Sequence, residues 1–586
     1  MYILKRLSIA RQPFLEYKKI SRTLNPNFYK SIVKKTWVFS IPVFLFFACK
    51  KDTAPGQPGS GKFDEVKSTI DDSAYNGGTF QNAKINPVIK ISFTSSIDKS
   101  SVTGNVNMTG GGLVIADNYA YENNDSTLVV TPASPLASVT SYSLTISTSL
   151  KSSTGAMLAN PVAVNFVTVI DSTDKFPQIT DSALLTLVEQ QTFKYFYDFG
   201  HPVSGMARER NSDGQTVTTG GSGFGVMALI VGVQRNFITR AQGLSRIDTI
   251  VNFLTNKAQR YHGAFPHWMD GTTGATIPFS TNDNGADLVE TSYMMQGLLT
   301  ARQFFNSSDP AEISLRAAIN NLWNGVEWNW FRQGGQNVLY WHWSPTLGFI
   351  INQQINGWDE AMIVYALAAS STVDSNRIPK IVYDNGWAMN GSIKNGTSYY
   401  GFTLPLGPPY GGPLFFAHYS FLGINPNGLT DTYADYWMQN QNHSLINYSY
   451  CVANPHQFNG YSSAVWGLTA SDEQGGYSAH SPTNDDGVIS PTAAVSSIPY
   501  TPTQSMNAIR FFYYKLGDKI WGNYGFVDAF NLTNVWFANS YLAIDQGPEI
   551  IMIENYRSGL LWNLFMSSPE IKTGMKSLGF ASSNLN

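Results

Sequence analysis

The 586-residue chain contains only two cysteines, Cys49 and Cys451, and only 13% of its residues are charged. A single pair of cysteines supplies no disulfide framework, and a thiolate metal site needs more ligands than that. The net charge of −3 and the lack of any Lys/Arg run interleaved with aromatics leave no field for a nucleic acid. No His-x-His or His-x3-His pair occurs among the eight histidines, so no metal is expected. The Gly-rich run TTGGSGFG at 218–225 lacks the Lys-Ser/Thr ending of a phosphate loop. It reads instead as a close backbone approach at a helix start, and no cofactor is expected. Long apolar runs are scarce too: the one ahead of Cys49, Trp37 to Ala48, falls well short of the ~20 residues that span a bilayer.

What is present is organised along the chain. Lys34-Lys35, the apolar run and then Cys49-Lys50-Lys51-Asp52 form a basic region, a hydrophobic region and a small residue before cysteine. This resembles a bacterial lipoprotein signal with the lipobox Phe46-Phe47-Ala48-Cys49, so residues 1–49 are expected to be the signal and Cys49 the lipidated residue. The stretch ahead of Lys34 is mixed, basic and not signal-like, and is expected to reflect a start placed too far upstream. The resemblance implies an outer-membrane lipoprotein facing the periplasm or the cell surface, held to the membrane by its lipid anchor only and otherwise monomeric. Residues 50–82, polar and rich in Gly, Pro and Ser, read as a flexible tether. Short alternating runs such as VIKISFTS, SYSLTIST and VAVNFVTV predict an all-β sandwich over 83–171, which resembles a bacterial Ig-like domain and would act as a spacer.

Beyond Asp171 helical periodicity takes over, with helices expected at 181–200, 223–238, 243–260, 286–305, 311–326, 358–371, 430–441, 502–516 and 546–566. Long Gly/Pro/aromatic loops between them favour a mainly α helical barrel whose loops build a cleft. The segment Tyr261 to Gln296 gathers two histidines and the acids Asp270, Asp283, Asp287 and Glu290. A helix starting near Asn284 puts Asp287 and Glu290 on one face with Asp283 at its mouth. Two readings stay open at this point. Asn284 as N-cap with Asp287 at N3 is a capping pattern, whereas paired carboxylates beside aromatics (13% of the chain) are what glycoside hydrolysis needs.

Several long segments weigh on that choice: FYDFGHPVSGMARERN, TTGGSGFGVMALIVGVQR, YHGAFPHWMDGTTGATIPFS, DLVETSYMMQGLLTARQFF, GWDEAMIVYALAAS, GGPLFFAHYSFLGINP and IDQGPEIIMIENYRSGLLW. Together they resemble the glucoamylase-like catalytic domain of glycoside hydrolase family 144, the bacterial endo-β-1,2-glucanases and sophorose-releasing enzymes, over 178–575. The resemblance implies an (α/α)6 toroid and inverting cleavage of β-1,2-glucan or its oligosaccharides without a metal. It carries the catalytic positions onto Asp283, Asp287 and Glu290 in NDNGADLVET and onto Glu360 in GWDEAMIVY, where Asp359 stands in place of the family's usual Asn. Glu360 is expected as general acid and the Asp287/Glu290 face as the source of the base, with Asp283 binding a hydroxyl or orienting water. Asp359 either raises the Glu360 pKa or caps a helix. Arg208, His267, Trp268, Trp343, His418 and Asp545 are expected to bind substrate, with pairing to Glu209, core packing or capping as their alternatives. Two other classes stay open: a polysaccharide lyase on a similar toroid, and a surface glycan-binding lipoprotein without catalysis.

Overall fold

The computed structural model describes residues 62–586. Cys49 and the signal lie outside the described residues. The chain divides near Thr173 into two units. The first is a sandwich of two five-stranded sheets, in the orders β2-β1-β4-β8-β7 and β3-β10-β9-β5-β6. These strands run Glu65–Ile70, Ser73–Tyr75, Thr79–Ala83, Ile89–Phe93, Val106–Gly110, Leu113–Ile115, Asp117–Glu122, Thr127–Pro132, Ser141–Ile146 and Val162–Thr168, from β1 to β10. Period-two alternation puts Ile89, Ile91 and Phe93 of β4, and Leu144 and Ile146 of β9, into one core with Phe63, Ile70 and Phe166. Strands β1 to β3 correct the tether expected at 50–82. Apart from Val66 their most exposed positions are polar or small, so their composition mimics a linker, yet Ser68, Ile70 and Ala83 are buried and β1 pairs antiparallel with β4.

The second unit alternates two kinds of helical segment. Helices with one apolar face, α1 (Asp181–Tyr197), α3 (Arg240–Asn256), α5 (Pro310–Asn324), α7 (Tyr436–Ala453) and α9 (Pro502–Ile520), lie between segments that are almost wholly buried. The buried ones are α2 (Thr219–Gln234), α4 (Leu288–Phe304), α6 (Met362–Ser370), α8 (Pro491–Ser496) and α10 (Ala543–Ser558). The 3-10 turns Leu414–Ala417 and Tyr419–Leu422 occupy a further buried place in that sequence. A helix buried all round has no hydrophobic stripe, so periodicity locates it poorly.

The glycines of TTGGSGFG do what a close approach requires. A Cβ on Gly223 would lie 2.3 Å from Tyr293 O, and one on Gly297 2.1 Å from Gly223 O, so α2 and α4 pack backbone to backbone. Helix α2 therefore starts at Thr219, ahead of the expected Gly223. The single helix expected at 546–566 is broken at Gly559 (φ +69°), which ends α10 before Leu560–Met566 begins. Among the described residues no helix is long and apolar enough to cross a membrane.

Candidate active site

A cavity of about 330 Å³ opens where several buried segments begin. Thr218 precedes α2, Asp287 and Glu290 sit at the start of α4, Glu360 precedes α6, and Leu542 and Ile544 mark the start of α10; all line the cavity. Helix N-termini carry unsatisfied N–H groups and a partial positive charge, which favours carboxylates here.

Helix α4 does not start at Asn284 as expected. Ala286–Asp287 pair as a short strand with His342–Trp343, holding that stretch extended, and the N-cap is Asp287 itself. Its Oδ1 accepts from Val289 N (3.0 Å), Glu290 N (2.9 Å) and Trp341 Nε1 (2.8 Å). Its Oδ2 lies 3.0 Å from His267 Nδ1 and 3.7 Å from His342 Nε2. Burial works against the Asp287 charge, but the His267 hydrogen bond and the His342 and His267 charges outweigh it and keep the carboxyl below its usual range. Burial likewise opposes a charged His267, yet Glu290, Asp287 and Asp283 raise it to about 10. At neutral pH this is an imidazolium bound to a carboxylate, both at the cavity wall.

Glu290 is poised differently. Its Oε2 accepts from Gly220 N at 2.7 Å, a contact open only to glycine, because a Cβ there would lie 2.6 Å from that oxygen. Burial pushes the Glu290 carboxyl up to about 7 despite the opposing charge of His267. Its ordinary value is 4.5, so protonated Glu290 favours the fold fully below pH 4.5, and that contribution disappears as pH rises to about 7. Glu290→Gln, which cannot titrate, is expected to escape this loss of about 3 kcal/mol. Urea unfolding of both proteins at pH 4.5 and pH 8 checks it: stability should fall further in the wild type.

Asp283, 4% exposed, lines the same wall with its Oδ2 3.4 Å from His342 Nε2, and burial raises its carboxyl. Glu360 lines the same cavity from a separate segment, its own carbonyl accepting from Tyr293 OH (3.3 Å) and Ser420 Oγ (2.5 Å). Asp359 Oδ1 accepts from Ala361 N at 2.8 Å, a turn just ahead of α6; the N-cap of α6 is Ala361, without a side-chain cap bond. Trp268 and Phe279, with ring centroids 4.7 Å apart, give the cavity an aromatic wall. The Trp268 Nε1 is buried without a partner and suits a ligand hydroxyl.

Four expected binding residues do not reach the cavity wall. Arg208 lies over the Phe199 ring at 4.4 Å, and its neighbour Arg210 lines the cavity while held by Glu209 (2.8 Å) and Asp472 (3.3 Å). Trp343 packs edge-on to His262 and Trp330, leaving Trp341 and His342 at the wall. His418 takes its packing alternative: it is 2% exposed, 3.0 Å from Ser497 Oγ, and lowered to about 3 by burial and His443. Asp545 is 2% exposed and off the cavity wall, its carboxyl raised by burial and by Asp528. Phe279, Trp341, His342, Gln353, Phe415, Tyr419 and Tyr477 were not singled out from sequence. The aromatic-rich strings YWHWSP and FFAHYSF were the signal for four of them, without indicating which ring points inward.

Asp283, Asp287 and His342 also present oxygen and nitrogen atoms within 4.8 Å of one another, a spacing that suits a cation. The Asp287 oxygens already take bonds from two amides, an indole and an imidazole, so protein donors satisfy this group.

Carboxylates on separate helical segments, facing an aromatic wall across one cavity, have the make-up of a glycosidase. Known proteins point the same way. A family model described as "Putative glucoamylase" matches residues 352–569, and one described as "Bacterial Ig-like domain" matches 68–168. The exo beta-1,2-glucooligosaccharide sophorohydrolase (non-reducing end) of Parabacteroides distasonis is 44% identical over 423 residues, 68% of this chain. The match spans 58% of that relative's length. The structure of an endo-beta-1,2-glucanase from Chitinophaga pinensis, in complex with sophorotriose and glucose, is 52% identical with a TM-score of 0.68, covering 70% of this chain and 100% of that one. A beta-1,2-glucanase from Parabacteroides distasonis is 36% identical with a TM-score of 0.67, covering 88% and 73% of the two chains. The chain belongs to the glucoamylase-like glycoside hydrolase family 144 and carries an Ig-like domain ahead of its helical catalytic domain.

Proposed function

We propose that this protein hydrolyses β-1,2-glucan or its oligosaccharides with inversion at the anomeric carbon. The observation that carries the reading is the placement of Glu360 and the Asp283/Asp287/Glu290 group on different buried segments around one aromatic cavity. Inversion needs a proton donor and a base far enough apart to admit a water, about 6.5–9.5 Å, which neighbours on one helix rarely provide. Glu360 donates the proton to the departing glycosidic oxygen. Glu290 is the base, since a carboxyl titrating near 7 takes a proton readily at neutral pH. Asp287 is engaged with its donors and acts by holding His267 and Trp341 in place. The alternation of outer and buried segments supports an (α/α)6 toroid, and the relatives' β-1,2-linked ligands support the linkage.

The lipoprotein reading completes the proposal: acyl chains on Cys49 would anchor a monomer in the outer membrane, with the Ig-like domain as spacer. The test of function is incubation with linear β-1,2-, β-1,3- and β-1,4-glucans. Release of gluco-oligosaccharides from the 1,2-linked polymer alone is expected. No hydrolysis of that polymer or its oligomers defeats the substrate assignment, and a product absorbing as an unsaturated sugar would indicate a lyase.

A further inference from the structure

The hairpin Ala470–Glu473/Gly476–Ala479 presents two faces with different chemistry. Its register pairs Ala470 with Ala479 and Asp472 with Tyr477. Ala470, Tyr477 and Ala479 line the cavity. Side chains alternate along a strand, so Ser471, Glu473 and Ser478 belong to the opposite face. His480 joins that face because its amide extends the ladder, donating to Thr469 O at 3.1 Å. Glu473 folds back over the hairpin: a Cβ on Gly476 would lie 3.1 Å from its Oε1. Asp486 comes from the following turn, its carbonyl fixed by Asn531 Nδ2 at 3.1 Å.

One ligand-type atom from each of Glu473, His480 and Asp486 lies within 4.8 Å of the other two. His480 is only 1% exposed, and neither ring nitrogen makes a properly aligned hydrogen bond, although Nδ1 stands 3.1 Å from Asp486 Oδ1. A buried imidazole without an aligned partner is costly and calls for an explanation. Two ligands of one tetrahedral zinc, each about 2.0–2.1 Å from the metal, are roughly 3.3 Å apart with no hydrogen bond between them. That is close to the separation of this nitrogen and oxygen.

We propose that Glu473, His480 and Asp486 form a divalent-cation site of the zinc class on the back of the hairpin whose front walls the cavity. One imidazole and two carboxylates form a three-ligand set of the kind zinc accepts, with water as fourth ligand, whereas calcium takes oxygen ligands in greater number. The Asp486 side chain is 53% exposed and provides the way in for the ion and its water. A cation there ties the turn of the hairpin to the segment that follows it, and so stiffens the wall carrying Tyr477. The site is separate from the carboxylates of the cavity and does not depend on the substrate assigned to them.

The test uses the purified protein, stripped with a chelator and dialysed against micromolar zinc chloride, with bound metal measured by mass spectrometry and affinity by calorimetry. One zinc per chain is expected at this site, with a raised Tm, and no calcium binding. Asp486→Asn and His480→Gln are each expected to weaken zinc binding at least tenfold and to abolish the zinc-induced rise in Tm. The proposal is overturned if the wild type binds no zinc or prefers calcium. It is equally overturned if both folded variants retain wild-type zinc affinity, because the ion would then sit elsewhere, as at Asp283, Asp287 and His342.

Discussion

Glu360→Gln is expected to lower kcat/KM on β-1,2-gluco-oligosaccharides by about 100- to 10,000-fold, the usual span for loss of a general acid. The amide keeps the size of the side chain and its place before α6, where Tyr293 and Ser420 hold the Glu360 carbonyl rather than its carboxyl. The backbone should stay where it is. Substrate binding should change little, since the Trp268/Phe279 wall and the His267–Asp287 pair are untouched. Steady-state kinetics with direct calorimetric binding separates the two effects. An oligosaccharide with an activated leaving group should recover part of the lost rate, because it departs without a proton. Full activity in Glu360→Gln would remove this residue from the chemistry.

Asp287→Asn is expected to cost about 3–5 kcal/mol of stability, the range for breaking a buried ion pair by removing one partner. Asp287 is fully buried and each of its oxygens receives donors. An amide can satisfy the helix N-terminus and Trp341 through its carbonyl, but it turns an N–H toward His267 where an oxygen had been. The imidazolium then loses its closest counter-charge. His267→Gln removes the imidazolium and leaves no ion pair at Asp287 Oδ2 to break, so Asp287→Asn in that background should be far milder. Denaturant unfolding of the four proteins measures this coupling. If the two single changes simply add, Asp287 acts as a cap and not as the partner of a charged imidazole.

The acids of the site were legible because they occur in local strings. NDNGADLVET and GWDEAMIVY carry Asp283, Asp287, Glu290 and Glu360 within a few residues of helix starts, and the structure lines one cavity with all four. What decided their individual roles was not local. The pairing of Ala286–Asp287 with His342–Trp343 joins positions more than fifty residues apart, and it moves the cap from Asn284 to Asp287. In YWHWSP, composition announces an aromatic wall without telling that Trp341 reaches Asp287 while Trp343 joins His262 and Trp330.

The fold shows the same division. Strands β4 and β9 alternate visibly, whereas β1 to β3 read as a linker because their few buried residues are scattered among polar ones. The amphipathic outer helices α1, α3, α5 and α9 were found within a few residues, whereas α7, expected at 430–441, runs Tyr436–Ala453. The short buried segments, α8 and the turns at 414–422, have no polar face and so no period to detect. His418 and Asp545 looked like ligands because they are polar residues in aromatic or acidic strings, but each is buried behind the cavity wall.

The central claim is that Glu360 and Glu290, on separate segments lining one cavity, act on one bond, the acid on the departing oxygen and the base through a water. Proton NMR of the first-formed products from linear β-1,2-glucan, recorded before mutarotation, tests it most directly. The account predicts that the new reducing end appears as the α-anomer and relaxes toward the equilibrium mixture. A β-anomer appearing first would mean retention through a covalent intermediate, and would contradict the pairing of Glu360 as acid with Glu290 as base.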